Sequence, residues 1–212
     1  MNKLRIAVLA SGRGSNLQSI IDSIGKGALN AQIACVVSDV ESANALELAR
    51  KRSIEALFLD PHGKTKEEYY SQIAGELEKR LVELVVMAGF MRIAPSSFTR
   101  KFAGRIVNIH PSLLPSFPGL HPQKQALEAG VKETGCTVHF VTEQLDGGPA
   151  ILQAHVPVLE GDSEETLSER ILRQEHKILP KAIELIAEKR INIKGSEVLV
   201  NLEGFEDKWK VE

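Results

Sequence analysis

The chain has 212 residues, of which 43% are apolar and 25% are charged, and its formal net charge is −2. A chain of this size and composition is expected to fold as one globular domain with a full core. Its balanced charge argues against nucleic acid as a partner, and it has no run of about 20 apolar residues that could span a membrane.

The two cysteines, Cys35 and Cys136, lie far apart inside strand-like runs. Buried free thiols are therefore a better interpretation than a disulfide or a nucleophile. Reduced thiols fit the cytoplasm, which is the expected compartment. The sequence leaves both a monomer and a homodimer open.

Apolar runs alternate with segments of helical spacing through the first half of the chain. One helix is predicted after residue 16, and others over residues 43–52 and 65–81. Strands are predicted at Leu4–Ala10, Gln32–Ser38, Ala56–Leu59, Leu84–Ala88 and Ile106–Ile109. This alternation predicts an α/β fold, a single-domain Rossmann-like open twisted sheet of mostly parallel strands with helices on both faces.

The second half of the chain departs from this alternation. After a short helix over residues 123–129, the runs Thr137–Thr142 and Ile151–Val158 read as a hairpin or a pair of edge strands. A long helix follows, and Asp162 with Glu165 three positions later resembles a capping box at its start. We expect a domain over residues 1–195.

The last residues, 196–212, are expected to form a C-terminal tail. Its apolar residues alternate weakly on either side of Gly204. This pattern predicts a small hairpin at the surface.

A glycine-rich turn follows the first predicted strand. Gly14, Ser15 and Asn16 stand where a helix begins, so free backbone N–H groups there could bind an anion. Leu17 replaces the third glycine of a dinucleotide fingerprint, although Asp39 ends the second strand where a ribose-binding acid would lie. The turn therefore favours a single phosphate group, and a plain tight turn before a capped helix remains the alternative.

The most informative stretch ends the strand over residues 106–110. Side chains alternate along a strand, so Asn108 and His110 should project from the same face where Pro111 stops the strand. An amide can stabilise a developing negative charge, and an imidazole can move a proton near neutral pH. This pair predicts catalysis at a carbonyl or a similar electrophile.

Two acidic residues are candidates to complete the site. Asp146 lies in a glycine-flanked loop, where it could orient or charge an imidazole, although an aspartate in a turn is the simpler reading. Glu175 falls on the apolar stripe of the last helix, where a carboxylate needs a partner or lines a cavity. Sugar hydroxyls would suit it, and a position at the edge of the surface is the alternative.

The segment after the fourth strand offers apolar side chains and free backbone groups that suit a flat heterocycle. Its candidate residues are Phe90, Met91, Arg92, Ile93 and Ala94. Histidine, cysteine and acidic residues do not occur at the spacings of known metal sites, so no metal is expected to take part.

Several motifs occur together and in order: residues 11–16, 88–93, 108–115, 117–121, 135–141, 145–149 and 174–176. Over about residues 3–195 the chain resembles the folate-dependent phosphoribosylglycinamide formyltransferases of purine biosynthesis. The resemblance implies transfer of a formyl group from 10-formyltetrahydrofolate to the amine of phosphoribosylglycinamide. It also implies that Asn108, His110 and Asp146 are catalytic.

The resemblance further implies two binding sets. Phosphoribosylglycinamide would contact Gly14, Ser15, Asn16, Met91, Pro111 and Glu175. The folate would contact Lys66, Phe90, Met91, Arg92, Ile93, Ala94, Ile106, Asn108 and Val141. Some relatives have arginine where Lys66 stands; lysine keeps the charge and loses the forked geometry.

Other interpretations remain open. Formyltetrahydrofolate deformylases share the core motifs and usually add an N-terminal regulatory domain, so hydrolysis of the same folate is the alternative reaction. Methionyl-tRNA formyltransferases share the Asn-x-His and Asp signals, but they usually carry an arginine-rich loop where residues 117–121 stand here. A nucleotide-binding module without enzymatic activity would use only the turn at residues 12–16.

Overall fold

The computed structural model describes residues 2–195, 197–203 and 205. Its main sheet consists of β1 (Leu4–Leu9), β2 (Ala31–Ser38), β3 (Ala56–Phe58), β4 (Leu84–Met87), β5 (Ile106–His110), β6 (Glu133–Phe140) and β7 (Ala150–Pro157). The helices are α1 (Ser15–Gly25), α2 (Asn44–Lys51), α3 (Lys66–Lys79), α4 (Ser96–Lys101), α5 (Pro122–Glu128) and α6 (Glu164–Ala187). Two further strands, β8 (Ile191–Lys194) and β9 (Glu197–Val200), pair with each other.

The seven strands lie in the order β3-β2-β1-β4-β5-β6-β7. Strands β1 to β5 are parallel, and β6 and β7 are antiparallel to their neighbours. The predicted single-domain α/β fold with a mostly parallel sheet is therefore confirmed. The loops after β1, β4 and β5 leave from one edge of the sheet, because the carboxyl ends of parallel strands meet there.

The central strands are buried on both faces, which explains their continuous apolar runs. Along β1, Ile6 and Val8 face one apolar cluster, while Ala7 and Leu9 face the other. Helices α1, α2 and α6 contribute to the first cluster, and α3 and α4 contribute to the second. Helices therefore cover both faces of the sheet, as predicted.

The two cysteines are buried free thiols, as the sequence predicts. Burial raises the pKa of Cys35 to about 11 and that of Cys136 to about 12. Thiols with such pKa values stay protonated at neutral pH and are poor nucleophiles.

The start of α6 differs from the prediction. Ser163, and not Asp162, is the N-cap residue, and Thr166 completes the capping box in place of Glu165. Asp162 instead accepts a hydrogen bond from the Leu159 N–H and pairs with Arg170 at 2.7 Å. The helix begins one residue later than expected because a serine hydroxyl can cap it while the neighbouring carboxylate is already occupied.

A hairpin that the sequence did not predict joins the end of the expected domain to the start of the expected tail. Ile191 pairs with Val200 and Lys194 pairs with Glu197, so the hairpin starts before the expected tail of residues 196–212. Gly195 has a φ of 62°, which a glycine adopts without strain. The expected turn at Gly204 and residues 206–212 lie outside the described residues. Within the described ranges, no helix is long and apolar enough to cross a membrane.

Gly135 controls the close approach of β6 and β7. A Cβ atom at this position would lie 1.9 Å from the Ala154 carbonyl oxygen and 2.8 Å from Leu113 Cδ2. We expect Gly135→Ala to lower the free energy of unfolding by about 3 kcal/mol, measured by urea denaturation, because backbone atoms must shift to admit the methyl group. In the control Gly75→Ala, the new Cβ meets open space, and a gain of about 0.5–1 kcal/mol is expected in helix α3.

Candidate active site

The end of β5 carries the predicted amide and imidazole. Asn108 and His110 are two residues apart in this strand and therefore share a face of the sheet. On the adjacent strand β6, Asn108 is paired with His139 and His110 with Thr137. The loop over residues 141–149 returns across this face and places Asp146 beside His110 and His139.

Asp146 is the centre of the resulting cluster, and only 8% of its side chain is exposed. Its Oδ2 accepts a hydrogen bond from the Gly119 N–H at 2.8 Å and lies 3.6 Å from His110 Nδ1. Its Oδ1 lies 3.7 Å from His139 Nε2. Both carboxylate–imidazole distances are longer than a hydrogen bond, so the hydrogen bond to Asp146 in this group comes from the Gly119 N–H.

The local sequence explains how Asp146 reaches this position. Its φ is 49°, a left-handed conformation that aspartate tolerates better than most residues. Two residues later, a Cβ atom on Gly148 would lie 1.8 Å from the Phe140 carbonyl oxygen. Only glycine therefore lets the returning loop pack this closely against the end of β6.

His139 belongs to the cluster, although no sequence pattern marks it as a site residue. Its Nδ1 lies 2.9 Å from the Phe140 carbonyl, which can only accept a hydrogen bond, so Nδ1 carries a proton. Its Nε2 then accepts a hydrogen bond from Asn108 Nδ2 at 3.2 Å. Burial lowers the pKa of His139, which keeps the ring neutral and able to accept.

His110 has different neighbours. Its Nε2 donates to the Phe117 carbonyl at 2.9 Å, while its Nδ1 faces the Asp146 carboxylate. Both ring nitrogens thus face acceptor oxygens, so both N–H groups of a protonated ring would have partners. The two histidines beside Asp146 are therefore placed for different tasks.

The glycine-rich turn is held between two helix starts. Gly14 has a φ of 76°, and a Cβ atom there would lie 2.9 Å from Ala45 Cα. Asn44 Nδ2 donates to the Arg13 carbonyl at 2.8 Å, and the Ala45 N–H donates to the Gly12 carbonyl at 3.1 Å. Among the described residues, no side chain caps the start of α1, so its first N–H groups can bind an anion.

Asn16 and Glu175 meet beside this turn. Asn16 Nδ2 donates to Glu175 Oε2 at 2.7 Å, and both residues are buried. Burial raises the pKa of Glu175, while the hydrogen bond from Asn16 and the nearby positive charge of Arg13 act in the opposite direction. Glu175 is therefore not at the edge of the surface, which was the alternative interpretation of the sequence.

The residues expected to bind a heterocycle divide into two groups. Lys66, Met91, Arg92 and Ile93 line a cleft of about 340 Å³ with Tyr70. Four others lie in the apolar cluster behind the cleft: Phe90, Ala94, Ile106 and Val141. Of these, Ile106 is fully buried. The structure therefore places the first group where a ligand can reach it and the second group as support.

Two predictions remain, a substrate contact at Pro111 and a reaction without a metal. Pro111 is half-buried directly after His110. Within the described ranges, no group of three or more histidine, cysteine or acidic side chains is arranged to hold a metal ion. That the reaction proceeds without a metal stays a prediction.

A family model for formyl transferases matches residues 4–183. Together with the parallel sheet and the polar cluster at its carboxyl edge, this match shows that the chain belongs to the formyl transferase family. The resemblance seen in the sequence motifs is confirmed.

Within that family, the chain is 45% identical over 191 residues to phosphoribosylglycinamide formyltransferase from Escherichia coli, covering 90% of each chain. It is 48% identical over 186 residues to trifunctional purine biosynthetic protein adenosine-3 from Drosophila pseudoobscura pseudoobscura. That match covers 86% of this chain and 14% of the longer protein.

Two solved structures share this fold over most of the chain. Glycinamide ribonucleotide transformylase 1 from Symbiobacterium toebii is 49% identical with a TM-score of 0.92, over 94% of both chains. A formyltetrahydrofolate deformylase from Pseudomonas syringae pv. tomato is 30% identical with a TM-score of 0.88, over 93% of this chain and 66% of that one. The deformylase is thus the more distant of the two.

Glu175 should make stability depend on pH. Its raised pKa means that the folded state favours the protonated form, so the stability linked to Glu175 is present below its unfolded pKa and is lost as the pH rises through the folded pKa. We expect Glu175→Gln to be more stable than the natural chain by about 1 kcal/mol at pH 8 in urea denaturation, with no difference near pH 4. The control Glu169→Gln, on the exposed face of α6, should show no such pH-dependent gap.

Proposed function

We propose that this protein transfers the formyl group of 10-formyltetrahydrofolate to the amine of N1-(5-phospho-D-ribosyl)glycinamide. The products are the formylglycinamide ribonucleotide and tetrahydrofolate, and the reaction is a step in the biosynthesis of purines as IMP. The relatives that match over 90% of both chains support this reaction.

One observation carries the proposal. Asn16 and Glu175 are 159 positions apart, yet they form a buried hydrogen bond beside the glycine-rich turn. At the same edge of the sheet, β5 carries Asn108 and His110, and the loop after β6 brings Asp146 to 3.6 Å from His110 Nδ1. A phosphoribosyl amine would have its phosphate at Gly14, Ser15 and Asn16 and its ribose hydroxyls at Glu175, with its amine towards Met91 and Pro111.

In the proposed mechanism, the amine attacks the formyl carbon directly and no protein nucleophile takes part. The new C–N bond converts the formyl carbonyl oxygen into an oxyanion. Asn108 donates one amide N–H to His139 and has a second N–H for this oxyanion. A donor placed in this way typically lowers the barrier by ~3 kcal/mol.

His110 moves the proton in this mechanism. The attacking amine loses a proton, and the departing folate nitrogen gains one as its bond to the formyl carbon breaks. His110 carries that proton, and the Asp146 carboxylate at 3.6 Å stabilises the charged ring. Much of the rate enhancement should come from holding both substrates in place.

The folate is proposed to occupy the cleft lined by Lys66, Met91, Arg92 and Ile93. The apolar wall behind the cleft suits a flat ring system, and the cations suit the carboxylates of the folate tail. Asn108 would contact the folate where the two substrates meet, and Phe90, Ala94, Ile106 and Val141 would support the pocket. No metal takes part in this reaction.

The remaining proposals concern partners and compartment. We propose that the partners are small molecules, with neither nucleic acid nor membrane, and that the protein acts as a monomer or a homodimer. The cytoplasm is the proposed compartment, supported by the two buried free thiols.

A single assay distinguishes this function from the deformylase alternative. The protein is incubated with 10-formyltetrahydrofolate, with and without phosphoribosylglycinamide, and release of tetrahydrofolate is followed. A transferase releases tetrahydrofolate only when the amine is present, whereas a hydrolase releases it and formate in both reactions. Phosphate-dependent binding with no release in either reaction would indicate a nucleotide-binding module.

Single substitutions in the cluster should reduce turnover and leave both substrates bound. We expect Asn108→Ala to lower kcat by roughly 10²–10³-fold, and His110→Ala and Asp146→Asn to lower it by about 10²-fold or more. Dissociation constants for both substrates should change little. His155→Ala is the control, because this exposed β7 histidine lies 2.9 Å from Glu133, away from the cluster. Unchanged turnover in Asp146→Asn would remove Asp146 from catalysis.

A further inference from the structure

A buried carboxylate outside the catalytic cluster joins the glycine-rich turn to the cleft. Asp39 follows β2, and only 7% of its side chain is exposed. Its Oδ1 accepts a hydrogen bond from Ser11 Oγ at 2.6 Å, and its Oδ2 accepts one from Arg92 Nε at 2.8 Å. Both oxygens are thus occupied by groups that follow β1 and β4, so Asp39 is not free to bind a ribose.

The contact with Ser11 extends to the backbone of the cleft. Ser11 Oγ accepts a hydrogen bond from the Met91 N–H at 3.0 Å, and the Ser11 N–H donates to the Gly89 carbonyl at 3.0 Å. A hydroxyl has a single hydrogen, and Asp39 takes it, which leaves the oxygen lone pairs for Met91. The position of Met91 therefore depends on the carboxylate that orients Ser11.

Arg92 is fixed from several sides. Besides the ion pair with Asp39, its guanidinium carbon lies 5.5 Å from the centre of the Tyr69 ring. Its carbonyl accepts a hydrogen bond from the Tyr70 hydroxyl at 2.7 Å. Asp39 engages Nε alone, and 44% of the Arg92 side chain remains exposed for a ligand in the cleft.

We propose that Asp39 is a positioning residue for the folate co-substrate. It holds the Met91–Arg92 wall of the cleft against the start of the glycine-rich turn, through Ser11 on one side and Arg92 on the other. The inference rests on the proposed function, because it takes the cleft to be the folate site. Asn108, His110 and Asp146 are held by other contacts, with His139, Phe117 and Gly119, so the chemical step should not depend on Asp39.

The negative charge of Asp39 acts against folate binding, whereas its positioning of Met91 and Arg92 favours it. The cleft also contains Lys64, Lys66 and Arg92, and a carboxylate beside Arg92 weakens their attraction for an anionic folate tail. If charge alone mattered, removing Asp39 would lower the KM for the folate. If positioning matters, removing Asp39 raises that KM, so the sign of the change separates the two effects.

The test uses steady-state kinetics with both substrates. We expect Asp39→Ala to raise the KM for 10-formyltetrahydrofolate about five- to tenfold, with kcat within about twofold. The KM for phosphoribosylglycinamide should rise less, because Met91 is one of several contacts proposed for that substrate and Arg92 is not among them. Ser11→Ala should change the same KM in the same direction. Asp39→Asn should recover part of the loss, because the amide oxygen still accepts a hydrogen bond from Ser11.

Asp162→Asn is the matched control. Asp162 is also buried, with 5% of its side chain exposed, and it also pairs with an arginine. It follows β7, five strands away from β2 in the sheet, so its loss should lower stability without changing the KM for the folate.

Two results would overturn the proposal: an unchanged or lower KM for the folate in Asp39→Ala, or a joint change in kcat and both KM values. Calorimetric titration with tetrahydrofolate measures the same weakening without catalysis. A natural chain that binds tetrahydrofolate in the cleft but transfers no formyl group would contradict the proposed function and leave this inference standing.

Discussion

The Asp146 carboxylate holds three separate segments of the chain together at the carboxyl edge of the sheet. It accepts a hydrogen bond from Gly119 in the loop after β5, and its charge faces His110 on β5 and His139 on β6. A carboxylate this deeply buried needs a hydrogen-bond donor, which here is the Gly119 N–H. The return of the loop over residues 141–149, and hence the shape of the cluster, follows from this requirement.

His110 and His139 both lie beside Asp146, but their ring nitrogens have different hydrogen-bond partners. His139 is neutral because burial disfavours its charged form, and it accepts a hydrogen bond from Asn108. His110 faces an acceptor with each nitrogen, which suits a ring that gains a proton during a reaction. Environment thus separates the two rings, since one orients the Asn108 amide and the other is proposed to transfer the proton.

Much of this arrangement could be predicted from the sequence, because strand alternation and strand ends fix where side chains point. The β–α alternation gave the sheet, and its carboxyl edge collected Asn108, His110 and the glycine-rich turn. His139 was missed because a histidine inside a mostly apolar strand gives no periodic signal. The partners of Asp39 were also missed, since hydrogen bonds between the ends of β1, β2 and β4 depend on strand order, which the chain order does not reveal. The hairpin of β8 and β9 was not predicted, because short alternating runs fit several registers.

The hydrogen bond from His110 Nε2 to the Phe117 carbonyl is relevant to whether an amine or water attacks the formyl group. Only 5% of His110 is exposed, so solvent has little access to the ring that is proposed to carry the proton. A proton carrier kept dry in this way does not readily activate a water molecule against the formyl donor. If His110 carries the proton as proposed, the contact that positions its ring would also favour the substrate amine over water as the attacking group.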